Sequence, residues 1–171
     1  QHLLGEDPFL IISGDALTDV DLTALIKYHR DRRSMATLCL TRVESPLEYG
    51  VVITDNAGRI RRFLEKPEWS EVFSDTVNTG IYVLEPSVLD YMEPDTSYDW
   101  SGEIFPRMLK EKKPLYGHET PGYWCDIGSL YEYRRAHLDA LQGKVKVNIP
   151  GVKKADKDIW IGPGSEIEQD L

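Results

Sequence analysis

Apolar positions along the chain change period from segment to segment, and those changes mark the elements. Phe9-Leu10-Ile11-Ile12 is wholly apolar and ends in Ser13-Gly14-Asp15, which predicts a short central parallel strand covered on both faces. Over 19–32, Leu22, Leu25, Ile26 and His29 share one helical face, and Thr18 with Asp21 makes a capping-box pattern at the start. A strand is predicted over 35–43. Gly50-Val51-Val52-Ile53-Thr54 and the segment 60–65 flank Asp55-Asn56-Ala57-Gly58, the pattern of a hairpin. Another strand is expected at 77–84, helices near 86–92 and 102–112, and a strand at 115–120. Ser129 with Glu132 forms a second capping box, opening a helix that runs to about Leu141 and stops at Gly143. Strands and helices alternating in this order predict an α/β domain with a mixed, mostly parallel sheet.

Beyond Gly143 the texture changes. Residues 144–157 carry Pro, Gly and several lysines without a long period, the mark of a linker or a domain edge. In Ile159-Trp160-Ile161-Gly162-Pro163-Gly164-Ser165-Glu166-Ile167, Ile161 and Ile167 stand six apart. That is the period of a hexapeptide β-helix coil; a single terminal strand and turn fits the segment equally. One coil cannot bury its own inner face, so a β-helix would need about three or more repeats.

Composition narrows the function. A chain of 171 residues and 19.5 kDa supports one ordinary core. No apolar run approaches the roughly 20 residues of a membrane helix. The net charge of −9 argues against nucleic-acid and anionic-membrane partners. A small phosphorylated substrate needs only a few local cations and stays allowed. Cys39 and Cys125 are far apart and read as reduced thiols of a cytoplasmic protein. The four histidines show no zinc-ligand spacing, and neither a nucleophile elbow nor a triad order occurs.

Four stretches place polar residues where an open α/β sheet presents them to a ligand, beyond its strand ends. Asp15 follows the first strand, with Gly14 allowing close approach to the backbone; capping of the next turn is the competing role. Glu65-Lys66-Pro67 ends a strand. Its carboxylate could accept from hydroxyls while its ammonium neutralises a phosphate, or the two could form a surface ion pair. Asn78-Thr79-Gly80 lies within an apolar strand, where the Asn78 amide needs either a ligand hydroxyl or a backbone partner. Trp124-Cys125-Asp126 precedes the helix opened by Ser129. Asp126 could supply a second hard oxygen for a divalent cation, and Trp124 is either a flat pocket wall or a core residue.

In order, Ser13-Gly14-Asp15, Tyr49-Gly50-Val51-Val52, Glu65-Lys66-Pro67, Asn78-Thr79-Gly80-Ile81-Tyr82 and Trp124-Cys125-Asp126-Ile127-Gly128 resemble the motifs of the sugar-nucleotide pyrophosphorylases. The resemblance spans Phe9 to Gly128, and the hexapeptide tail is similar to the β-helix many members carry. It implies a Rossmann-like nucleotidyltransferase domain over 1–145, its sugar-phosphate half, and over 146–171 a linker and the first coil of a left-handed β-helix. It further implies attack of a hexose 1-phosphate on the α-phosphorus of an NTP, with pyrophosphate leaving. Asp15 and Asp126 would hold Mg²⁺, Lys66 would neutralise the sugar phosphate, and Gly14, Tyr49, Gly50, Glu65, Asn78, Thr79, Gly80 and Trp124 would line the substrate site. Mannose 1-phosphate with GTP is expected ahead of glucose 1-phosphate with dTTP or UTP, and a homo-oligomer is compatible. The family's glycine-rich triphosphate loop has no counterpart here, so a chain truncated at both ends, lacking its first βα unit and inactive alone, is expected. Two rivals stand beside this reading. One is a non-catalytic paralogue that senses a sugar nucleotide. The other is a metal-dependent glycosyltransferase, although Asp19-Val20-Asp21 falls at a helix start.

Overall fold

The computed structural model describes residues 5–65, 74–153 and 159–166. In chain order the strands are β1 (Phe9–Ile12), β2 (Ala16–Thr18), β3 (Ala36–Arg42), β4 (Gly50–Thr54), β5 (Ile60–Glu65), β6 (Thr76–Leu84), β7 (Leu115–Glu119), β8 (Trp124–Asp126), β9 (Val152–Lys153) and β10 (Trp160–Ile161). The helices are α1 (Leu22–Arg32), α2 (Phe105–Lys110) and α3 (Leu130–Gln142).

β6 is the spine of the main sheet, whose order is β5-β4-β6-β3-β7. Along one edge it pairs with β3. Its other edge is shared between β4, at Val51 opposite Val77, and β1, which meets Ile81–Leu84. Every pairing in this sheet among the described residues is antiparallel except β3 with β7. The sheet is therefore mixed, and the expectation of a mostly parallel one is corrected. β1 is corrected with it. It is an antiparallel strand on β6 with alternate side chains outward, Leu10 being 37% and Ile12 43% exposed. Phe9 and Ile11 pack on the core. A run of four apolar residues looks the same with one face covered or both, and only the fold distinguishes them.

Strand alternation divides the core into two layers. Leu38, Leu40, Tyr82 and Leu84 face Ile104, Phe105 and Met108. Cys39, Ile81 and Val83 face Leu25 of α1 and Val20 just before that helix. Phe105 anchors the first layer, stacked on Phe63 at 5.9 Å and edge-on to Tyr82 at 5.0 Å between ring centroids.

The helix starts follow their caps. Asp21 caps α1 by accepting from the Ala24 N–H at 2.9 Å. Thr18 is no cap; its hydroxyl donates to the Tyr123 carbonyl at 2.8 Å, so the helix starts later than the pattern suggested. Ser129 caps α3 through the Glu132 N–H, and Gly143 ends it at φ 77°, both as expected. The helix expected near 102–112 is split: a π turn, Trp100–Ile104, runs into the six-residue α2. Pro86–Tyr91 is a 3₁₀ helix. Trp160 and Ile161 pair antiparallel with Lys153 and Val152, and Ile167 lies outside the described residues.

Candidate functional site

β6 is irregular where it meets the pocket. Leu38 pairs with Tyr82 and Leu40 with Asn78, so Cys39 alone on β3 opposes Thr79, Gly80 and Ile81. This bulge turns carbonyls out of the ladder. Thr79 O accepts from Trp124 Nε1 at 3.0 Å, and Gly80 O from the Ser13 N–H at 3.2 Å. Thr79 Oγ1 donates back to Cys39 O at 2.8 Å. Gly80 adopts φ 75°, and a Cβ there would overlap Ser13 Oγ. The close approach by which the end of β1 reaches the bulge thus requires glycine.

The two carboxylates come together by a route that the sequence reading did not foresee. They do not hang from parallel strands; β2 and β8 form their own antiparallel ribbon, with Ala16 opposite Asp126 and the Ile127 N–H donating to Asp15 O at 2.9 Å. Both aspartates line one cavity of about 320 Å³. Burial pushes the Asp126 carboxyl above its ordinary range, and the charges of Asp15 and Glu132 push the same way. Ser129 supplies the cap of α3, so Asp126 is not spent on it. An acidic pair of this kind suits a hard divalent cation. Among the described residues no cluster of three or more His, Cys, Asp or Glu accompanies it. Mg²⁺ fits such a sparse donor set, because it takes one or two carboxylates and fills its other positions with water and phosphate oxygens.

The rest of the wall is polar on one side and aromatic on the other. Asn78 donates to Tyr82 Oη at 2.8 Å and Ser101 Oγ at 2.7 Å, while its Oδ1 accepts from the Gly80 N–H at 3.1 Å. Its amide is therefore satisfied mainly by side chains and holds Ser101 at the cavity. Trp124 plays both roles weighed for it. It packs against the core layer that holds Leu25 and Cys39, and it lines the cavity edge-on to Tyr49 at 5.6 Å.

Asp15, Tyr49, Gly50, Asn78, Thr79, Gly80, Trp124 and Asp126 all line this cavity. Gly14 sits between two lining residues, Ser13 and Asp15, and among the described residues nothing beyond its chain neighbours lies within 4 Å of where its Cβ would stand. Glu65 pairs with Gly50 through the backbone at the end of β5; its side chain and Lys66 lie outside the described residues. Sequence reasoning missed Asp99 and Ser101. The available signal was Asp99 before the π turn, where it accepts from the Ser101 N–H at 2.8 Å.

These features define an α/β protein with an acidic pocket between a bulged sheet and a short ribbon, its walls rich in hydroxyl and amide groups. The chain belongs to the nucleotidyl transferase family, whose model matches residues 1–143. It is 40% identical over 151 residues to a UTP–glucose-1-phosphate uridylyltransferase of Synechocystis sp., covering 86% of this chain and 39% of that protein. It is 39% identical over 171 residues to a mannose-1-phosphate guanylyltransferase catalytic subunit beta of Drosophila pseudoobscura pseudoobscura, covering 94% of this chain and 45% of the relative. The chain thus spans less than half the length of these curated relatives. A UDP-glucose pyrophosphorylase structure from Acinetobacter baumannii superposes with a TM-score of 0.69 at 23% identity, over 82% of this chain and 53% of that one, a likeness of fold.

Proposed function

We propose that this protein is a sugar-1-phosphate nucleotidyltransferase, forming an NDP-sugar and pyrophosphate from an NTP and a hexose 1-phosphate. The observation that carries the reading is the convergence of Asp15 and Asp126 on one cavity with the Asn78–Ser101 pair and the Trp124–Tyr49 wall. In the reaction a phosphate oxygen of the sugar 1-phosphate bonds to the α-phosphorus. The bond from that phosphorus to the bridging oxygen of the β-phosphate breaks, and pyrophosphate leaves with the electron pair. No protein nucleophile is required, and positioning of the two anions carries the catalysis.

Asp15 and Asp126 would hold Mg²⁺, which when bound supplies positive charge between two anionic reactants. The rest falls to the chain itself. Trp124 and Tyr49 exclude water from one side. Ser101, oriented by Asn78, and Asp99 offer hydrogen-bond partners to sugar hydroxyls. Gly50 opens the first strand of the hairpin opposite Glu65; Glu65 would serve hydroxyls and Lys66 the sugar phosphate. The same reading places the reaction in the cytoplasm, where the buried, unpaired Cys39 and Cys125 stay reduced. It also takes residues 146–171 as a linker and the first coil of a left-handed β-helix.

Mannose 1-phosphate with GTP is the favoured pair; glucose 1-phosphate with UTP is a second reading, supported by the 40% relative. The test is pyrophosphate release by the purified protein, as its gene encodes it, with each sugar phosphate and NTP pair. Release with a hexose 1-phosphate, abolished by Asp126→Asn, is expected. No release with any pair refutes the function, and faster turnover of glucose 1-phosphate with UTP or dTTP refutes the mannose assignment.

A further inference from the structure

The ribbon that brings Asp15 to Asp126 is only three residues long on each side. So short a ladder specifies its own register weakly, and a slip of one residue would turn Asp126 to the opposite face. Something outside the ladder must hold it. Asp19, one residue beyond β2, has both carboxylate oxygens engaged by backbone donors from two distant parts of the chain. Oδ1 accepts from the Tyr123 N–H at 2.6 Å, immediately before β8, and Oδ2 from the Lys146 N–H at 2.8 Å, in the segment that leaves α3. The Asp19 N–H in turn donates to Tyr123 O at 3.1 Å. Gly122, at φ 140°, lets that loop pass; a Cβ there would stand 2.9 Å from Asp19 Oδ1 and 3.0 Å from Val20 Cα. A second tie runs parallel to the first. Tyr123 Oη donates to Asp139 Oδ2 at 2.8 Å, and Lys144 Nζ donates to Asp139 Oδ1 at 2.7 Å. The two backbone N–H donors hold the Asp19 carboxyl below the ordinary aspartate range, that of Lys146 more strongly than that of Tyr123.

We propose that Asp19 is a positioning residue that couples the segment leaving α3 to the β2–β8 ribbon, so that displacement of the chain after α3 changes the placement of Asp15 and Asp126. The proposal rests on the nucleotidyltransferase reading of that ribbon. Further along, Trp160 Nε1 donates to Leu141 O at 3.3 Å, a second attachment of the chain after α3 to that helix.

A substitution that leaves Asp19 and Tyr123 untouched isolates the coupling. The Val147 N–H donates to Val145 O at 3.1 Å, closing a three-residue turn centred on Lys146. Lys146 does not have a positive φ, so the turn is of the inverse kind, whose central residue ordinarily adopts φ of about −75°, within proline's range. Lys146→Pro therefore deletes one donor to Asp19 and puts its ring Cδ where that N–H pointed, so that Asp19 Oδ2 must give way. It is expected to lower kcat about tenfold, the scale of one hydrogen bond to a charged group, while KM for the sugar phosphate stays within about twofold. Amide exchange over 123–127 is expected to accelerate. Asp19→Asn, which can accept only one of the two N–H groups well, should do the same, and the double variant should be less than additive.

Additive losses would overturn the proposal. So would a Lys146→Pro protein with a lower Tm but unchanged kcat and unchanged exchange over 123–127, which would make Asp19 a plain anchor. The exchange measurement stands apart from catalysis: a wild-type protein that transfers no nucleotide refutes the function, while faster ribbon exchange in Lys146→Pro still upholds the coupling. Should Lys146→Pro fail to fold, the exchange of Asp19→Asn decides.

Discussion

Gly80→Ala is expected to destabilise the protein by about 2–3 kcal/mol. Holding an alanine at φ 75° costs about 1–2 kcal/mol, because its Cβ crowds the following carbonyl. The new methyl would also overlap Ser13 Oγ and lie 3.2 Å from Ser13 Cβ. Rotating the hydroxyl away sacrifices its 3.4 Å bond to Gly80 O and stretches the 3.2 Å main-chain bond from the Ser13 N–H to the same oxygen. That adds about 1 kcal/mol. For a chain of this size the sum lowers Tm by about 5–10 °C. Urea denaturation followed by circular dichroism measures it directly, and an unchanged m-value would show that the denatured state is not responsible. Gly14→Ala is the matched control. Its φ is not positive, and among the described residues nothing beyond its chain neighbours stands within 4 Å of where its Cβ would be, so its effect is expected within about 0.5 kcal/mol. Equal losses in the two variants, or a Gly80→Ala effect below about 0.5 kcal/mol, would refute the bulge argument.

Asp15→Asn and Asp126→Asn should each lower kcat by at least about a hundredfold with little loss of stability, and the double variant should be less than additive because both serve one site; kinetics beside thermal melts checks this, and additive losses would count against a shared cation. Phe105→Ala, at a fully buried ring touching Phe63, Tyr82 and Trp100, is expected to cost about 3–5 kcal/mol in urea denaturation, and a loss under about 1.5 would show the layer repacks. His29 is fully buried between Thr37 and Glu85, and burial, outweighing Glu85, depresses its pKa below the usual 6.5. Below pH 6.5 the unfolded chain therefore binds a proton that native His29 resists, so this stability is present above pH 6.5 and is lost on acidification toward the depressed native pKa. His118 is depressed by burial too. His29→Gln should accordingly flatten, without abolishing, the fall in Tm between pH 7.5 and 5.5; an unchanged slope would remove His29 from the account.

Features written in adjacent residues were legible from the chain alone. Ser129 and Gly143 delimit α3 because a cap needs only its own hydroxyl or its own φ. The hairpin over Asp55–Gly58 closes through Asp55, whose Oδ1 accepts from the Ala57 and Arg59 N–H groups. Features written in distant partners were not legible. β1 owes its direction to a strand some seventy residues later. β2 and β8 are too short to show a period, although their pairing unites the two aspartates singled out beforehand. Eight candidate residues converge on the cavity because their motifs each begin, end or interrupt a strand. Asp99 and Ser101 escaped because a π turn leaves no hydrophobic signature.

The bulge at Thr79–Ile81 divides β6 into two independently registered plates. One plate, 76–78, continues through Val77 into β4 and the hairpin that carries Gly50; the other, 81–84, carries β1 and leads into Ser13 and Asp15. The cavity straddles the seam between them. A sugar phosphate touching both sides would act as a rivet, and its binding should slow amide exchange on the two plates together. Without it, the seam is where the sheet should give first.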